Sequence, residues 1–322
     1  MGPLAERAAT FPGGSQNRRE GQVVGRADRE PRIRDRDSAH TRMTCSLCGG
    51  ILSEAGDLDS LLRCPMRTLP VYLLSALGLL AMVAGVNRAA EPATSSAPKP
   101  LPEAVVKAWT GAGAEVGWIS DDPDKRLDFR EGDKGQAGEI PGFSFRKLTP
   151  GLIAKLPAPD TPFGLYLYRR ELTDDLVKEL AGLKNLQALN LDWNQEVTDE
   201  GVKALAGMKN LRMLSLSDTK MTDAGVKELT RLKNLRSFDL SGTQVTDDGM
   251  MDIASIKGLQ TLNLGHTKVS DAGVKEVASL QDLRALRLSN TKVTLAGVKE
   301  LAELKNLQKL DLGFNKKLCQ NR

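Results

Sequence analysis

The chain has 322 residues, with 45 Lys plus Arg against 41 Asp plus Glu and only 4% aromatic residues. Two histidines and four cysteines leave little material for a metal centre or a nucleophile–histidine pair, so neither cofactor nor catalysis is expected. From Glu91 onward 33 cations face 32 anions, a balance that argues against a nucleic-acid-binding surface.

Residues 1–65 form an N-terminal extension of unusual composition. Through Pro98 the chain has 12 Arg and no Lys; afterwards it has 11 Arg and 22 Lys. Such a change fits either a disordered tail or a reading frame whose true start is Met66. Cys45, Cys48 and Cys64 offer three thiols in this stretch, but a structural zinc normally takes four ligands, and only His40 could complete the set. Cys319 is the only later cysteine, so no disulfide is expected beyond the extension.

Residues 66–90 read as a signal peptide or signal-anchor helix. Leu69 to Val86 is a largely apolar run of 18 residues between Arg67 and Arg88. As a helix it would span about 27 Å, slightly short of a hydrocarbon core. Met66-Arg67 ahead of it and Ala84, Gly85, Ala89 and Ala90 behind it match a secretory signal. Both readings imply export to the cell envelope or beyond, with membrane contact only through 69–86. A Pro/Ala/Ser linker follows at 91–100. Residues 101–140 then hold a helix (102–110) and two strand-like runs (115–119 and 126–130), a segment suited to cap the open edge of what comes next.

Residues 141–318 repeat themselves. Starts at Pro162, Leu186, Leu211, Leu235, Leu259, Leu283 and Leu307 lie 24 residues apart, with one extra residue in the 192–197 segment. A weaker first unit sets Phe143 against Leu167 and Leu148 against Leu172. Each clean unit opens L-x-x-L-x-L and continues through a Thr to V-T-D-x-G-V-K-E-L. Alternation such as Leu262 and Leu264 is a short strand with one buried face, and Val226, Leu229 and Leu232 keep helical spacing. Thr222 stands at the helix N-cap with Asp223 in the first turn, facing the positive helix end; Thr294-Leu295 breaks that pair. The Thr column (Thr219, Thr243, Thr267, Thr291) should satisfy backbone groups in the turn, and the Gly column (Gly201 through Gly297) should allow close approach or an unusual backbone angle. One unit cannot bury its apolar face alone, so the units must stack. After the last strand Leu318 takes the Val column and Cys319 the cap position, with no helix beyond; a truncated frame or a covering partner would account for that.

With these motifs laid out, the array resembles the leucine-rich repeat family. The likeness is greatest to the exported bacterial and F-box-associated types that carry the signature seen here as Val245-Thr246-Asp247-Asp248-Gly249. Ala108-Trp109 through Trp118 and Phe129-Arg130-Glu131-Gly132 also look like the leader region of exported bacterial repeat proteins. The resemblance implies an α/β fold: a right-handed solenoid curved as a horseshoe, with a parallel sheet on the concave face and helices on the convex one. It implies a binding role and carries no catalytic residue. The first reading is thus an extracytoplasmic module that binds a protein, or a glycan, through its concave face. The alternative is a substrate-receptor adaptor of the F-box ubiquitin-ligase type, for which no F-box-like segment is visible.

The repeat register places candidate contact residues. The central outward column reads Tyr166, Asn190, Ser215, Asp239, Asn263 and Arg287, and beside it stand Tyr168, Arg169, Asp192 and Trp193. Tyr166, Tyr168, Arg169 and Trp193 cluster in adjacent repeats and form the expected principal patch, because aromatic and Arg side chains anchor interfaces. The competing expectation is that these aromatics pack against the 101–140 segment.

Overall fold

The computed structural model describes residues 43–45, 50–52, 99–120 and 127–318. The apolar run 69–86, Cys48, Cys64 and Cys319 lie outside the described residues. A short antiparallel pair, β1 (Met43–Cys45) and β2 (Gly50–Leu52), forms a two-stranded sheet of its own.

The main sheet has ten strands. Eight run parallel in sequence order: β5 (Glu139–Phe145), β6 (Phe163–Tyr166), β7 (Leu186–Asn190), β8 (Met213–Ser215), β9 (Ser237–Asp239), β10 (Thr261–Asn263), β11 (Ala285–Arg287) and β12 (Lys309–Asp311). Each parallel step is one repeat, and the central leucines align in one row, Leu189 beside Leu214, Phe238, Leu262, Leu286 and Leu310. The helices of the repeats cover the other side of the core: α2 (Asp174–Leu180), α3 (Asp199–Leu205), α4 (Asp223–Leu229), α5 (Met250–Ala254), α6 (Asp271–Val277) and α7 (Leu295–Glu300). Strand leucines and helix Val/Leu side chains meet in a single continuous core. The chain is therefore an α/β leucine-rich repeat solenoid, as expected.

Residues 103–131 add a helix and two antiparallel strands at the first edge of this sheet. Helix α1 (Glu103–Gly111) precedes strands β3 (Ala114–Ser120) and β4 (Asp128–Glu131). β3 runs antiparallel to β5, and β4 lies outermost, so the two close the first edge of the parallel sheet. Trp109 of α1 is fully buried, stacks on Phe143 at 4.4 Å and approaches Phe145 and Phe163. Its indole N–H donates to Pro157 O at 2.9 Å, so this buried donor is satisfied.

The first unit departs from the expected register. Phe143 pairs with Leu165, not with Leu167, so the counterpart of Leu167 is Phe145, two residues later than a strict 24-residue period would place it. This unit replaces the α-helix with one 3₁₀ turn (Ile153–Lys155) and so needs fewer residues between strand and helix layer.

What joins one helix to the next is a repeated rung. Thr222 Oγ1 donates to Asp199 Oδ2 at 2.7 Å, and Thr222 N–H donates to Asp199 Oδ1 at 2.8 Å. The same hydroxyl oxygen accepts from Ala224 N–H at 3.2 Å, capping α4. Equivalent rungs join Asp174 to Thr198, Asp223 to Thr246, Asp247 to Ser270 and Asp271 to Thr294. The aspartates thus serve the following repeat and do not simply face their own helix terminus. Thr173, with no aspartate one repeat before it, makes no side-chain cap bond. The glycine column exists because of this rung: a Cβ at Gly201, Gly225, Gly249, Gly273 or Gly297 would stand within 3.0 Å of the preceding repeat's carboxylate. The threonine column does what was expected, each hydroxyl donating to a carbonyl three residues back, as Thr243 does to Leu240 O at 2.6 Å.

Gly249 tests the rung cleanly. Its φ of −76° is ordinary, so Gly249→Ala would normally gain helix propensity of about 1 kcal/mol. We expect the substitution to cost on the order of 1–3 kcal/mol in urea denaturation, because the new methyl meets only the Asp223 carboxylate. In an Asp223→Ala background the cost should shrink or reverse; purely additive effects would show that the glycine is not there for the carboxylate.

Candidate functional site

The outward-facing columns of the sheet divide into three stretches. The first belongs to the cap. Leu127 and Phe129 fold over the start of the open face and pack with Ile119, Ile140, Tyr166, Ala188 and Met213. Phe129 stacks on Tyr166 at 5.9 Å, and Asn190 Nδ2 donates to Leu127 O at 3.1 Å. Tyr166 therefore packs against the 101–140 segment, and burial beside Asp128 and Asp192 pushes its hydroxyl up to about 12. Ala188 and Met213 lie in a further outward column, the third residue of each L-x-x-L, that the sequence reading left out.

Behind the aromatics the floor is closed by hydrogen bonds. Asn190, Asp192 and Ser215 are each about 1% exposed, so they contact one another and present almost nothing to a ligand. Asp192 Oδ1 accepts from Ser215 Oγ at 2.5 Å and from Ser217 N–H at 2.9 Å, and its Oδ2 accepts from Asn190 Nδ2 at 3.0 Å. Desolvation, reinforced by the Asp239 carboxylate, still raises the Asp192 carboxyl from 3.8 to about 6 against those bonds. Asp239 is half-buried, accepts from Ser241 N–H and Oγ, and takes Asn263 Nδ2 at 2.8 Å. Asn263 and Arg287 stand farther along, where a polar hollow of about 290 Å³ opens between Ser241, Gly265, His266, Ser289 and Asp311.

The third stretch is the lip where each strand turns away. Arg169, Trp193, Asp218, His266, Asn290 and Phe314 all have φ between 52° and 60°, and Gly242 takes the same place at 69°. A left-handed conformation costs an L-residue roughly 1–2 kcal/mol, and Gly242 demonstrates that the turn needs no side chain. Trp193 and Phe314 are nevertheless 38% and 69% exposed. The Arg169 guanidinium lies over the Trp193 ring, 5.3 Å from its centroid, and Tyr168 stacks on Tyr166 at 6.1 Å. Tyr168, Arg169 and Trp193 thus form one accessible corner, while Tyr166 is its buttress. The left-handed row was not visible as such in the sequence, because its residues share a conformation and no chemistry.

No group of three or more His, Cys, Asp or Glu side chains that could hold a metal ion occurs among the described residues, and no described helix is long and apolar enough to cross a membrane.

Comparison with known proteins agrees with the repeat geometry. A leucine-rich repeat family model matches residues 184–245 and a second matches residues 259–278. A comparison with curated proteins found no match. Among solved structures, an internalin C2 from Listeria monocytogenes is 29% identical with a TM-score of 0.43, over 51% of this chain and 66% of that chain. A second internalin of the same species is 21% identical with a TM-score of 0.37, over 48% of each chain. The match therefore spans just under two thirds of the first internalin and about half of the second.

The Asp192 carboxyl gives a pH prediction. Its folded value lies above the unfolded one, so the folded chain holds this proton where the unfolded chain has released it. The contribution to stability is greatest below about pH 4, falls as pH rises toward 6, and is flat above that, a total on the order of 2–3 kcal/mol. Asp192→Asn should remove that decline from the difference curve of urea midpoints between pH 3.5 and 7, and a variant that keeps it would assign the carboxyl to another group.

Proposed function

We propose that this leucine-rich repeat chain is a non-enzymatic, exported scaffold whose lip corner of Tyr168, Arg169 and Trp193 grips a protein partner. The fold is a binding scaffold, and the observation that carries the finer reading is Trp193 itself. It is a large ring held in an unfavourable left-handed turn, with 38% of its surface in water and a guanidinium stacked over it. Strain of this kind marks positions kept for something other than stability. Aromatic and Arg groups of limited flexibility lose little entropy on binding, which suits them to anchor an interface. The apolar run at 69–86 behind Met66-Arg67 supports export, and the polar hollow around Asn263 and Arg287 would extend the contact along the open face.

A random-peptide display library panned against the protein tests this reading. Selected peptides should bind the Trp193→Gly and Tyr168→Ala variants about ten-fold more weakly, the loss typical of one anchor. Trp193→Gly should leave the urea midpoint unchanged or raise it, since it relieves the turn. Met251→Ser, at an exposed position on the helical side, should change neither. Binding that survives both lip variants would overturn the assignment.

A further inference from the structure

The near-neutral charge of residues 91–322 conceals two unlike edges. The edge where the helices begin is mixed: the rung aspartates stand there with Asp175, Glu200 and Asp248, and Lys220, Lys268 and Lys292 stand among them. The opposite edge, where each helix has ended and the next strand has not begun, is basic apart from Asp282. Lys184, Lys209, Lys233 and Lys257 occupy one position in four consecutive repeats and are all exposed. Three residues on from each, a second column reads Gln187, Arg212, Arg236 and Gln260, with Arg284 beyond. These are neighbouring rungs: Arg236 N–H donates to Arg212 O, and Gln260 N–H to Arg236 O.

None of these seven cations is in an ion pair among the described residues. The side-chain partners they have are neutral: Ala181 O for Lys184, Gly258 O for Arg236 and Ser279 Oγ for Lys257. Like charges in adjacent repeats repel, so the row brings the fold no electrostatic gain. The helix dipole does not account for it either. That field fades within the last turn, which already carries Lys178, Lys203, Lys227, Lys275 and Lys299.

We infer that this basic edge is a second binding site, for a linear anionic polysaccharide laid along the array. The repeats set cations about 4.8 Å apart in a row, so a polymer with regularly spaced carboxylate or sulfate groups meets one repeat after another. Gln187, Gln260 and Gln308 are interspersed with the arginines in the same column and suit hydroxyl groups between the charges. No aromatic residue interrupts the row to stack on bases, as single-stranded nucleic acid requires, and no exposed apolar residue stands among the cations to enter a bilayer. The site is separate from the lip corner.

Fluorescence anisotropy with a labelled sulfated linear polysaccharide tests it on the whole protein. Replacing Lys209, Arg212, Lys233 and Arg236 together by Gln should weaken binding about ten-fold or more at low salt and flatten its salt dependence. A control with Lys203, Lys227, Lys275 and Lys299 replaced by Gln removes the same charge from the helical side and should bind as the parent does. Thermal midpoints verify folding, and the pair Lys209→Gln with Lys233→Gln serves if the quadruple variant does not fold. Three results would each overturn the assignment: equal losses in the two quadruple variants, absence of binding by the parent, or tighter binding to a single-stranded oligonucleotide or to anionic vesicles.

Discussion

One carboxylate per repeat, spent on the neighbour, is what the solenoid rests on. A seven-residue helix is too short to persist alone, and three-residue strands are equally marginal. Both become stable only by stacking, and stacking requires the sheet layer and the helix layer to advance in step. The strand ladder fixes the step on one side. On the other, Asp199 to Thr222 and its four counterparts fix it again, each aspartate closing two hydrogen bonds across the gap. Glycine follows from that arrangement, since the carboxylate lies where a side chain would begin. Three residue types that look like separate signatures, Thr, Asp and Gly, are therefore one device.

Much of this was legible in the sequence, and the exceptions have physical causes. Period, strand row, helix caps and the Thr turn bonds follow from spacing and residue type, both of which are local. The register of the first unit did not follow, because a 3₁₀ turn consumes fewer residues than an α-helix and a fixed period cannot register the difference. The aspartates were read as partners of their own helices, which is what proximity in sequence suggests; their true acceptor role spans 23 residues. The candidate site was half legible. Alternation identified the outward columns, but it could not show that Leu127 and Phe129 would return over the start of the face. Nor could it show that Asn190, Asp192 and Ser215 would satisfy one another and close the floor.

The faces of the solenoid have separated their tasks. The buried floor under the cap is stabilised as core, and even accommodates a carboxyl whose ionisation is disfavoured. The lip holds side chains that the turn does not need, and its chemistry changes from repeat to repeat while the leucines beside it do not. The basic edge repeats its chemistry and holds its cations without ion pairs to the fold. Variation at the lip suits a partner of particular shape, whereas repetition at the edge suits a partner that itself repeats.

The rung has a further property. Four consecutive repeats, those of Thr198, Thr222, Thr246 and Ser270, carry both halves of it: a Thr or Ser that receives the preceding aspartate, and an Asp that is offered onward. A 24-residue unit copied in frame would find a complementary half on each side, and a unit deleted whole would leave its neighbours able to join. The array can therefore lengthen or shorten by complete repeats without redesigning a single junction. Such a chain adjusts the span of its surface by gene duplication more readily than by substitution.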